Sequence, residues 1–341
     1  MSFQNINVSP IIFSSKLLFT IVLLLALSLA SYANSEKEIV LTVAPIELSP
    51  NVPQQKTIGK LKFIKGYNLS SSYSHFGGIS GLSNSKQSGD IKVHIVSDRG
   101  QLGYLKLDRN YKPYSASLSF IRNIPWDSGY GKIADAESVS QLQSKSDKYI
   151  LVSFEGVHRI MAYSTVDKID IAIPLPPEIR MLQSNGSLET MEVLKDGRLF
   201  LMAEHPIIKN EQHLAWIGTA PKEAPLNFRY ITRLMTPPLG YSPTDATQLP
   251  NGDVLVLLRR FSASDGISAK FWRIKKSMIN KSGPITGEVI ATIKPPFNVD
   301  NMEGIAVIDI STKGNPIIAV ISDDNYNPLQ RTLLMIFEVF Q

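Results

Sequence analysis

Short runs in which apolar and polar residues alternate recur along the whole chain and predict β-strands. Val93-His94-Ile95-Val96-Ser97 is typical, and β-branched and aromatic residues are frequent in such runs. Turns containing Gly, Pro or Asn separate the runs at intervals of roughly 10 to 15 residues, and helical periodicity is weak. Asn251-Gly252 directly before the apolar run Val254 to Leu258 predicts a type I′ hairpin. The pattern therefore predicts an all-β fold.

A short motif that begins with an acidic residue returns at nearly constant spacing. Its acids are Glu137, Glu189, Asp245 and Glu303, and an acid-free version begins at Ser80, one further step before Glu137. The period is roughly 55 residues, which suits one four-stranded blade of a β-propeller and is too long for most helical repeats. Equivalent positions of successive blades converge on one axis, so these acids are expected to meet.

The repeat predicts five blades and a closed ring. The fifth unit lacks one strand after Leu333 to Phe340, and a suitable strand is available at Lys60 to Lys65. Pairing of the N- and C-terminal strands leaves no free sheet edge. A sixth blade built from Glu38 to Leu48 and loop residues remains an alternative.

The segment from Met1 to Ala33 resembles a secretory signal peptide, with cleavage expected after Ala33. Its apolar part, Leu17 to Ala30, is short for a membrane span, which needs roughly 20 residues. An uncleaved anchor is the alternative, and no other stretch is long and apolar enough to cross a bilayer. We expect a signal peptide at 1–33, an extension at 34–58, a propeller domain at 59–341, and a periplasmic or secreted protein.

Composition narrows the classes of partner. The chain has no cysteine, which excludes disulfides and thiolate metal sites. It contains 35 Lys and Arg against 30 Asp and Glu, a formal net charge of +5, and the basic residues are scattered. This favours a mildly basic surface and a small anionic substrate, and it argues against a nucleic-acid partner.

Polar residues also end the second strand of each unit, and in a propeller these strand ends form the mouth of the channel into which the repeat acids point. The residues expected to lie near one another are Asp98, Arg99, Asp135, Glu137, Glu155, Glu189, Glu204, His205, Asp245, Arg259, Arg260, Glu303, Asp323, Asp324 and Asn325. Like charges do not crowd together without neutralisation. The acids could bind a divalent cation, with Ca²⁺ the best match to oxygen ligands, pair with the arginines, or cap backbone amides of the next blade.

Several of these motifs resemble those of the bacterial phytase-like domain family, "esterase-like activity of phytase". The similar segments are Phe76-Gly77-Gly78-Ile79-Ser80-Gly81-Leu82, Ser97-Asp98-Arg99-Gly100, Asp135-Ala136-Glu137-Ser138, Asn301-Met302-Glu303-Gly304-Ile305 and Ser322-Asp323-Asp324-Asn325. The resemblance runs from about Gly59 to Phe340. It implies an exported propeller with phosphoester-hydrolase activity. The positions that it carries over are Asp98, Arg99, Glu137, Glu303, Asp323, Asp324 and Asn325.

Three functions remain open at this stage. The first is a metal-dependent phosphomonoesterase acting on an organic phosphate. Its catalytic residues would be Asp98, Arg99, Glu137, Glu303, Asp323 and Asn325. Its Ca²⁺ ligands would be Glu137, Glu189, Glu303 and Asp324, and its substrate-binding residues Arg259, Arg260 and His205. The second is an esterase or lactonase on the same scaffold, and the third is a ligand-binding propeller without catalysis. The sequence has no G-x-S-x-G motif, no phosphate-binding loop and no zinc-site spacing of histidines.

Overall fold

β-Strands make up most of the chain that the structure describes. The computed structural model describes residues 38–85, 89–122, 134–144, 147–165, 170–186, 188–206, 211–219 and 226–340. The predicted signal peptide, its cleavage site and Trp126 lie outside these residues. Among the described helices, none has the length and apolar character needed to span a membrane.

The strands follow one another in chain order with two short helices between them. Those of the N-terminal segment and the first blade are β1 (Glu38–Ile39), β2 (Thr42–Ile46), β3 (Thr57–Ile58), β4 (Leu61–Ser70), β5 (Ile79–Ser85), β6 (Ile91–Ser97), β7 (Gln101–Leu107) and β8 (Pro113–Phe120). Those of the next two blades are β9 (Ala136–Gln143), β10 (Lys148–Phe154), β11 (Arg159–Ser164), β12 (Asp170–Ile173), β13 (Thr190–Val193), β14 (Leu199–Met202), β15 (His213–Thr219) and β16 (Arg229–Met235). The last two blades contain β17 (Ser242–Gln248), β18 (Val254–Ser262), β19 (Gly266–Ile274), β20 (Glu288–Ile293), β21 (Asn301–Ile310), β22 (Pro316–Asp323) and β23 (Thr332–Val339). A 3-10 helix covers Pro177–Met181, and the helix α1 covers Lys276–Asn280.

The strands form five antiparallel sheets, and each sheet is one blade of a propeller. Every blade begins with an inner strand, namely β5, β9, β13, β17 and β21. Each inner strand contacts the inner strands of the two neighbouring blades, and β21 contacts β5, so the ring is complete. The predicted all-β, five-bladed propeller is thereby confirmed.

The ring closes through the two ends of the chain, as the sequence predicts. The strand β4 supplies the outer strand of the fifth blade by pairing with β23, with Leu61 opposite Val339. The segment before it adds β1 to the edge of the first blade and β2 to the edge of the fifth. The alternative of a sixth blade is therefore wrong, because these strands extend two existing sheets.

The hydrophobic core lies between the blades. Alternate side chains of a strand point to opposite faces of its sheet, and β18 shows the result: Val254, Val256 and Leu258 pack toward the third blade, and Leu255 and Leu257 toward the fifth. Five such clusters fill the five junctions between blades. Each fully buried Leu or Val contributes about 1.5–3 kcal/mol.

Two tryptophans belong to these junctions, as expected. Trp216 is buried between the second and third blades, and Trp272 between the third and fourth. Aromatic side chains of this size bury large apolar areas and dominate core energetics.

Hydroxyl groups join the inner strands around the axis. Ser80 donates to the carbonyl of Ala136 at 2.6 Å, and Thr244 donates to that of Met302 at 3.2 Å. In the second blade Ser138, one position further along its strand, donates to the carbonyl of Met191 on the next inner strand at 3.3 Å. These hydrogen bonds fix the register of neighbouring blades and so fix the relative height of their channel-lining residues.

The hairpin at Asn251-Gly252 differs from the prediction. Leu249 and Asp253 close the loop, and Gly252 has φ 90° while Asn251 does not have a positive φ. A type I′ turn requires positive φ at both central residues. Since Leu249 and Asp253 face each other, the loop has three residues, Pro250, Asn251 and Gly252. Pro250 keeps a negative φ at the first of these positions.

Candidate functional site

A β-bulge sits at the start of four of the five inner strands, and it sets the position of the repeat acids. In the second blade Glu137 lies unpaired between two residues that face β10, and in the fifth blade Glu303 does the same against β22. Ser80 holds this position in the first blade and Thr244 in the fourth. A bulge redirects one side chain locally.

The register corrects the alignment of the fourth repeat. Asp245 pairs with Leu257 and stands where the other blades have Gly81, Ser138 and Gly304. It is therefore not an equivalent of the repeat glutamates. The bulge shifts the alignment by one position.

Asp245 instead lies on the axis of the ring, fully buried. Its carboxylate accepts hydrogen bonds from the amides of Ile305 at 2.9 Å and Leu82 at 3.4 Å, and from the hydroxyl of Ser138 at 3.2 Å. These donors belong to three other blades. The contact with Ile305 fits the expectation of an acid that caps a backbone amide of the next blade, and the other two contacts reach further around the ring.

Two sets of equivalent positions meet at one end of the channel, and we call them together the acidic mouth. The inner set contains Ser80, Glu137, Glu189, Thr244 and Glu303. The set at the ends of the second strands contains Asp98, Glu155, Glu204, Arg259 and Asp323. Carboxyl groups occupy most of these positions, and one guanidinium stands among them.

Arg259 is the centre of this charge cluster. It donates to Glu303 at 2.6 Å, to the side-chain oxygen of Asn301 at 2.6 Å and to Glu204 at 3.1 Å, and it lies 4.0 Å from Glu189. Burial alone would lower the pKa of Arg259. The negative charges of Glu303, Glu189 and Glu204 raise it by more than burial lowers it, so the group stays charged. Because these contacts occupy the guanidinium, Arg259 holds the acids in position.

Three carboxyl groups lie close enough to share one cation. Asp135, Glu137 and Glu155 each offer an oxygen, and these oxygens lie within 4.8 Å of one another. Glu155 also accepts a hydrogen bond from the amide of Gly186 at 2.5 Å, which orients its carboxylate. Burial, followed by the charges of Asp135 and Glu155, raises the pKa of Glu137 well above its usual value.

The donor chemistry of the mouth fits a hard divalent cation. One oxygen of Glu189 and one of Asp98 are buried and accept no hydrogen bond within the described residues. Buried polar atoms are normally satisfied, so the Asp98 oxygen could bind a cation, whereas the Glu189 oxygen already lies 4.0 Å from the Arg259 guanidinium. An all-oxygen set of carboxylates suits Ca²⁺ better than a thiophilic metal.

Protons compete for the same oxygens. Burial, followed by the charges of neighbouring acids, raises the pKa of Asp98 to about 7. Burial also raises the pKa of Glu303 to about 8 and of Asp323 to about 6, although Arg259 and nearby hydrogen bonds act in the opposite direction. These carboxyls therefore retain protons at pH values where free carboxyls are ionised, and their full negative charge develops only above about pH 8.

Gly78 shapes the corner of the acidic mouth between the first and fifth blades. Gly78 has φ 58°, and a Cβ there would overlap the Asp98 carboxylate and the Tyr326 ring. The Arg99 guanidinium lies 3.4 Å from the centre of that ring and is exposed. Arg99 is thus held at the rim by a cation–π contact.

Asp324 organises the backbone of the same corner. Its carboxylate accepts hydrogen bonds from the amide of Gly78 at 2.9 Å, the amide of Tyr326 at 3.1 Å and the hydroxyl of Thr332 at 3.0 Å. Both oxygens are therefore in use within the protein.

The remaining predicted residues lie at the edge of the mouth or outside it. His205 lies 3.4 Å from Glu204 and is partly exposed. Arg260 pairs with Asp265 at 2.7 Å, away from the cluster around Arg259. Asn325 donates its amide to Asp323 at 2.7 Å, and its own positive φ marks the turn.

Asn301 is a member of the cluster that sequence reasoning missed. Its side-chain oxygen accepts the hydrogen bond from Arg259, and the residue pairs with Asp323 across the sheet. Its position two places before Glu303 was the available signal, because such residues share a face of a strand.

Solved structures of similar shape are propeller glycoside hydrolases. A thermostable family-43 glycoside hydrolase shares 10% identity over 76% of this chain and 89% of its own, with a TM-score of 0.49. The catalytic domain of a GH62 alpha-L-arabinofuranosidase from Coprinopsis cinerea shares 14% identity over 88% and 97%, with a TM-score of 0.49. A GH43_1 enzyme from Xanthomonas citri, complexed with xylose, shares 9% identity over 82% and 90%, with a TM-score of 0.47. Similarity at this level says nothing about activity.

Sequence comparison is more specific. No curated protein matches the chain significantly. The profile of the phytase-like family, described as "Esterase-like activity of phytase", matches residues 74–326, well over half of the chain. This range includes every residue of the acidic mouth, and the chain belongs to the phytase-like family.

Proposed function

We propose that the protein is a calcium-dependent phosphomonoesterase that acts on a small organic phosphate such as an inositol phosphate. The observation that carries the proposal is the acidic mouth, which contains seven carboxyl groups and one guanidinium. Such a cluster would repel an anionic substrate unless cations neutralise it. The family description, which names phytase, supplies the substrate class.

The group of three acids would hold the cation. Asp135, Glu137 and Glu155 would each supply one oxygen ligand, and the buried oxygen of Glu189 would be a further ligand. Bound Ca²⁺ supplies Lewis acidity toward a phosphoryl oxygen and lowers the pKa of bound water.

The chain's own residues would perform the other tasks. Arg99, exposed at the rim and held against Tyr326, would contact phosphate oxygens, since guanidinium groups bind them in a bidentate manner. Asp98 lies beside it with a raised pKa and could accept or return a proton near neutral pH. Arg259 would keep Glu303 and Glu204 in place and would not touch substrate.

The proposal includes export. The predicted signal peptide would deliver the protein to the periplasm or to the medium, and no cysteine is present that would need oxidation there.

Phosphate release from phytate tests the proposed activity. We expect release by the purified protein in Ca²⁺ that stops on addition of a chelator and returns with excess Ca²⁺, because the cation supplies the missing positive charge. Glu137→Gln should abolish release, whereas Glu288→Gln, a surface variant on β20, should retain it. Release that is insensitive to chelator, or equal in Glu137→Gln and wild type, would refute the assignment.

A neutral ester is the second candidate substrate, because the family description also names esterase-like activity. The same preparations should be assayed with p-nitrophenyl acetate. Chelator-sensitive ester hydrolysis without phosphate release would transfer the assignment to an esterase on this scaffold.

A further inference from the structure

A cavity opens at the end of the channel opposite the acidic mouth. It has a volume of ≈ 570 Å³ and is lined by the C-terminal ends of all five inner strands. The acidic mouth lies at their N-terminal ends. About four residues separate the two levels, or roughly 13 Å at the rise of a β-strand. We call this space the lower cavity.

The buried Asp245 separates the lower cavity from the acidic mouth. Its carboxylate links Leu82 and Ile305 across the axis and is fully buried. On β17, Asp245 follows Thr244 of the acidic mouth and precedes Thr247 of the lower cavity, and the function proposed for the acidic mouth does not use the lower cavity.

The wall of the lower cavity is a hydrogen-bonded belt of amide and hydroxyl side chains. Gln141 donates to the carbonyl of Asn84 at 2.6 Å, which joins the first two blades. Ser140 donates to Glu192 at 3.0 Å, and the backbone N–H of Gln248 donates to the same carboxylate at 2.8 Å. Polar groups held in fixed positions in this way are pre-organised for a ligand.

Charge is balanced in this wall, in contrast to the acidic mouth. Lys148 and Lys195 stand against Glu192 and Asp309 among the lining residues. Lys195 also donates to the carbonyl of Pro250 at 3.1 Å, and both oxygens of Glu192 accept hydrogen bonds. The balance removes the electrostatic basis for selecting an anion or a divalent cation.

We propose that the lower cavity binds a small neutral polyhydroxylated molecule, a monosaccharide or a polyol. Its volume lies within the range of about 300–1,000 Å³ that ligand sites occupy. Amide, hydroxyl and ammonium groups supply donors and acceptors for hydroxyl groups, while Leu82, Val193 and Val307 offer apolar surface for the carbon skeleton.

Two lining side chains allow a clean test. Asn84 and Lys148 line the lower cavity, and within the described residues the side chain of neither makes a hydrogen bond or an ion pair, although their backbone groups bond to Gln141 and Asp147. Asn84→Ala and Lys148→Met should therefore remove ligand contacts and leave the belt intact. Lys281→Met, an exposed position after α1, is the matched control.

Saturation-transfer NMR and calorimetry with glucose, myo-inositol and sorbitol would measure binding to the purified protein. We expect saturable binding of at least one, unchanged by chelator and by Glu137→Gln. The affinity should fall about tenfold in Asn84→Ala or Lys148→Met, equivalent to one lost hydrogen bond to a charged or polar group, and stay constant in Lys281→Met. Absence of binding by all three probes, or binding that Asn84→Ala and Lys148→Met leave unchanged, would overturn the proposal. Binding lost in Glu137→Gln would place these molecules in the acidic mouth and overturn it as well.

Discussion

Replacing Asp245 with alanine should lower the free energy of unfolding by about 3–5 kcal/mol, since several buried donors lose their acceptor at once. Its carboxylate accepts from Ile305, Leu82 and Ser138, which belong to three different blades. No solvent reaches the position, so water cannot replace the lost oxygens without a rearrangement of the inner strands. Urea unfolding followed by tryptophan fluorescence would measure the loss.

Two variants serve as controls for Asp245→Ala. Asp245→Asn keeps the size of the side chain and one acceptor oxygen, and should lose less than half as much stability. Asp196→Ala, at an exposed turn, should stay within about 0.5 kcal/mol of wild type. An Asp245→Ala protein as stable as Asp196→Ala would contradict the assignment of Asp245 as the axial link between blades.

Replacing Arg259 with methionine should destabilise the cation-free protein by about 3–5 kcal/mol at pH 8, the range observed when one partner of a buried ion pair is removed. The guanidinium contacts Glu303 and Glu204, and the variant leaves these carboxylates without a counter-charge. The loss should be smaller at pH 5, because the pKa of Glu303 is raised to about 8 and the group can then stay protonated.

The neighbouring residue supplies the matched control. Arg260 lies on the same strand but pairs with Asp265 near the surface, so Arg260→Met should change stability by less than about 1 kcal/mol. Thermal unfolding of both variants at pH 5 and pH 8 would separate the two cases. Equal losses in Arg259→Met and Arg260→Met, or an Arg259→Met loss independent of pH, would contradict the role given to the cluster.

The repeat predicted the blades because it reflects backbone geometry. Each inner strand begins with a polar residue, which is an acid in three blades and Ser80 or Thr244 in the other two, so a polar motif recurs once per blade and its spacing predicts five blades. Closure of the ring by β4 was also predictable. The fifth unit lacked one strand, the N-terminal segment offered one, and proteins avoid leaving a sheet edge unpaired.

Exact equivalence between blades was not predictable. A bulge adds one residue to a strand, and the amino-acid sequence around Asp245 does not show that the extra residue of this blade is Thr244. The one-residue shift moves the carboxylate from the channel mouth to the axis. The N-terminal strands were ambiguous for a related reason, since pairing to an existing edge and founding a new blade require the same alternating pattern.

The composition of the acidic mouth could be anticipated, but the partners within it could not. The sequence placed Glu137, Glu155 and Glu303 at one end of the channel. It did not distinguish Arg259, which the carboxylates surround, from Arg260, which faces another direction, because neighbouring residues of a strand point to opposite faces and two adjacent arginines do not show which one faces the channel.

Calcium titration of the chelator-treated protein by calorimetry tests the central claim most directly. We expect saturable binding at pH 8 that weakens at pH 5, because burial and the charges of Asp135 and Glu155 raise the pKa of the ligand Glu137 well above its usual value, so that protons compete with the cation at the lower pH. Binding should be lost in Glu137→Gln and retained in Glu288→Gln. No heat of binding at pH 8, or binding that Glu137→Gln leaves unchanged, would contradict the claim that the acidic mouth is a cation site.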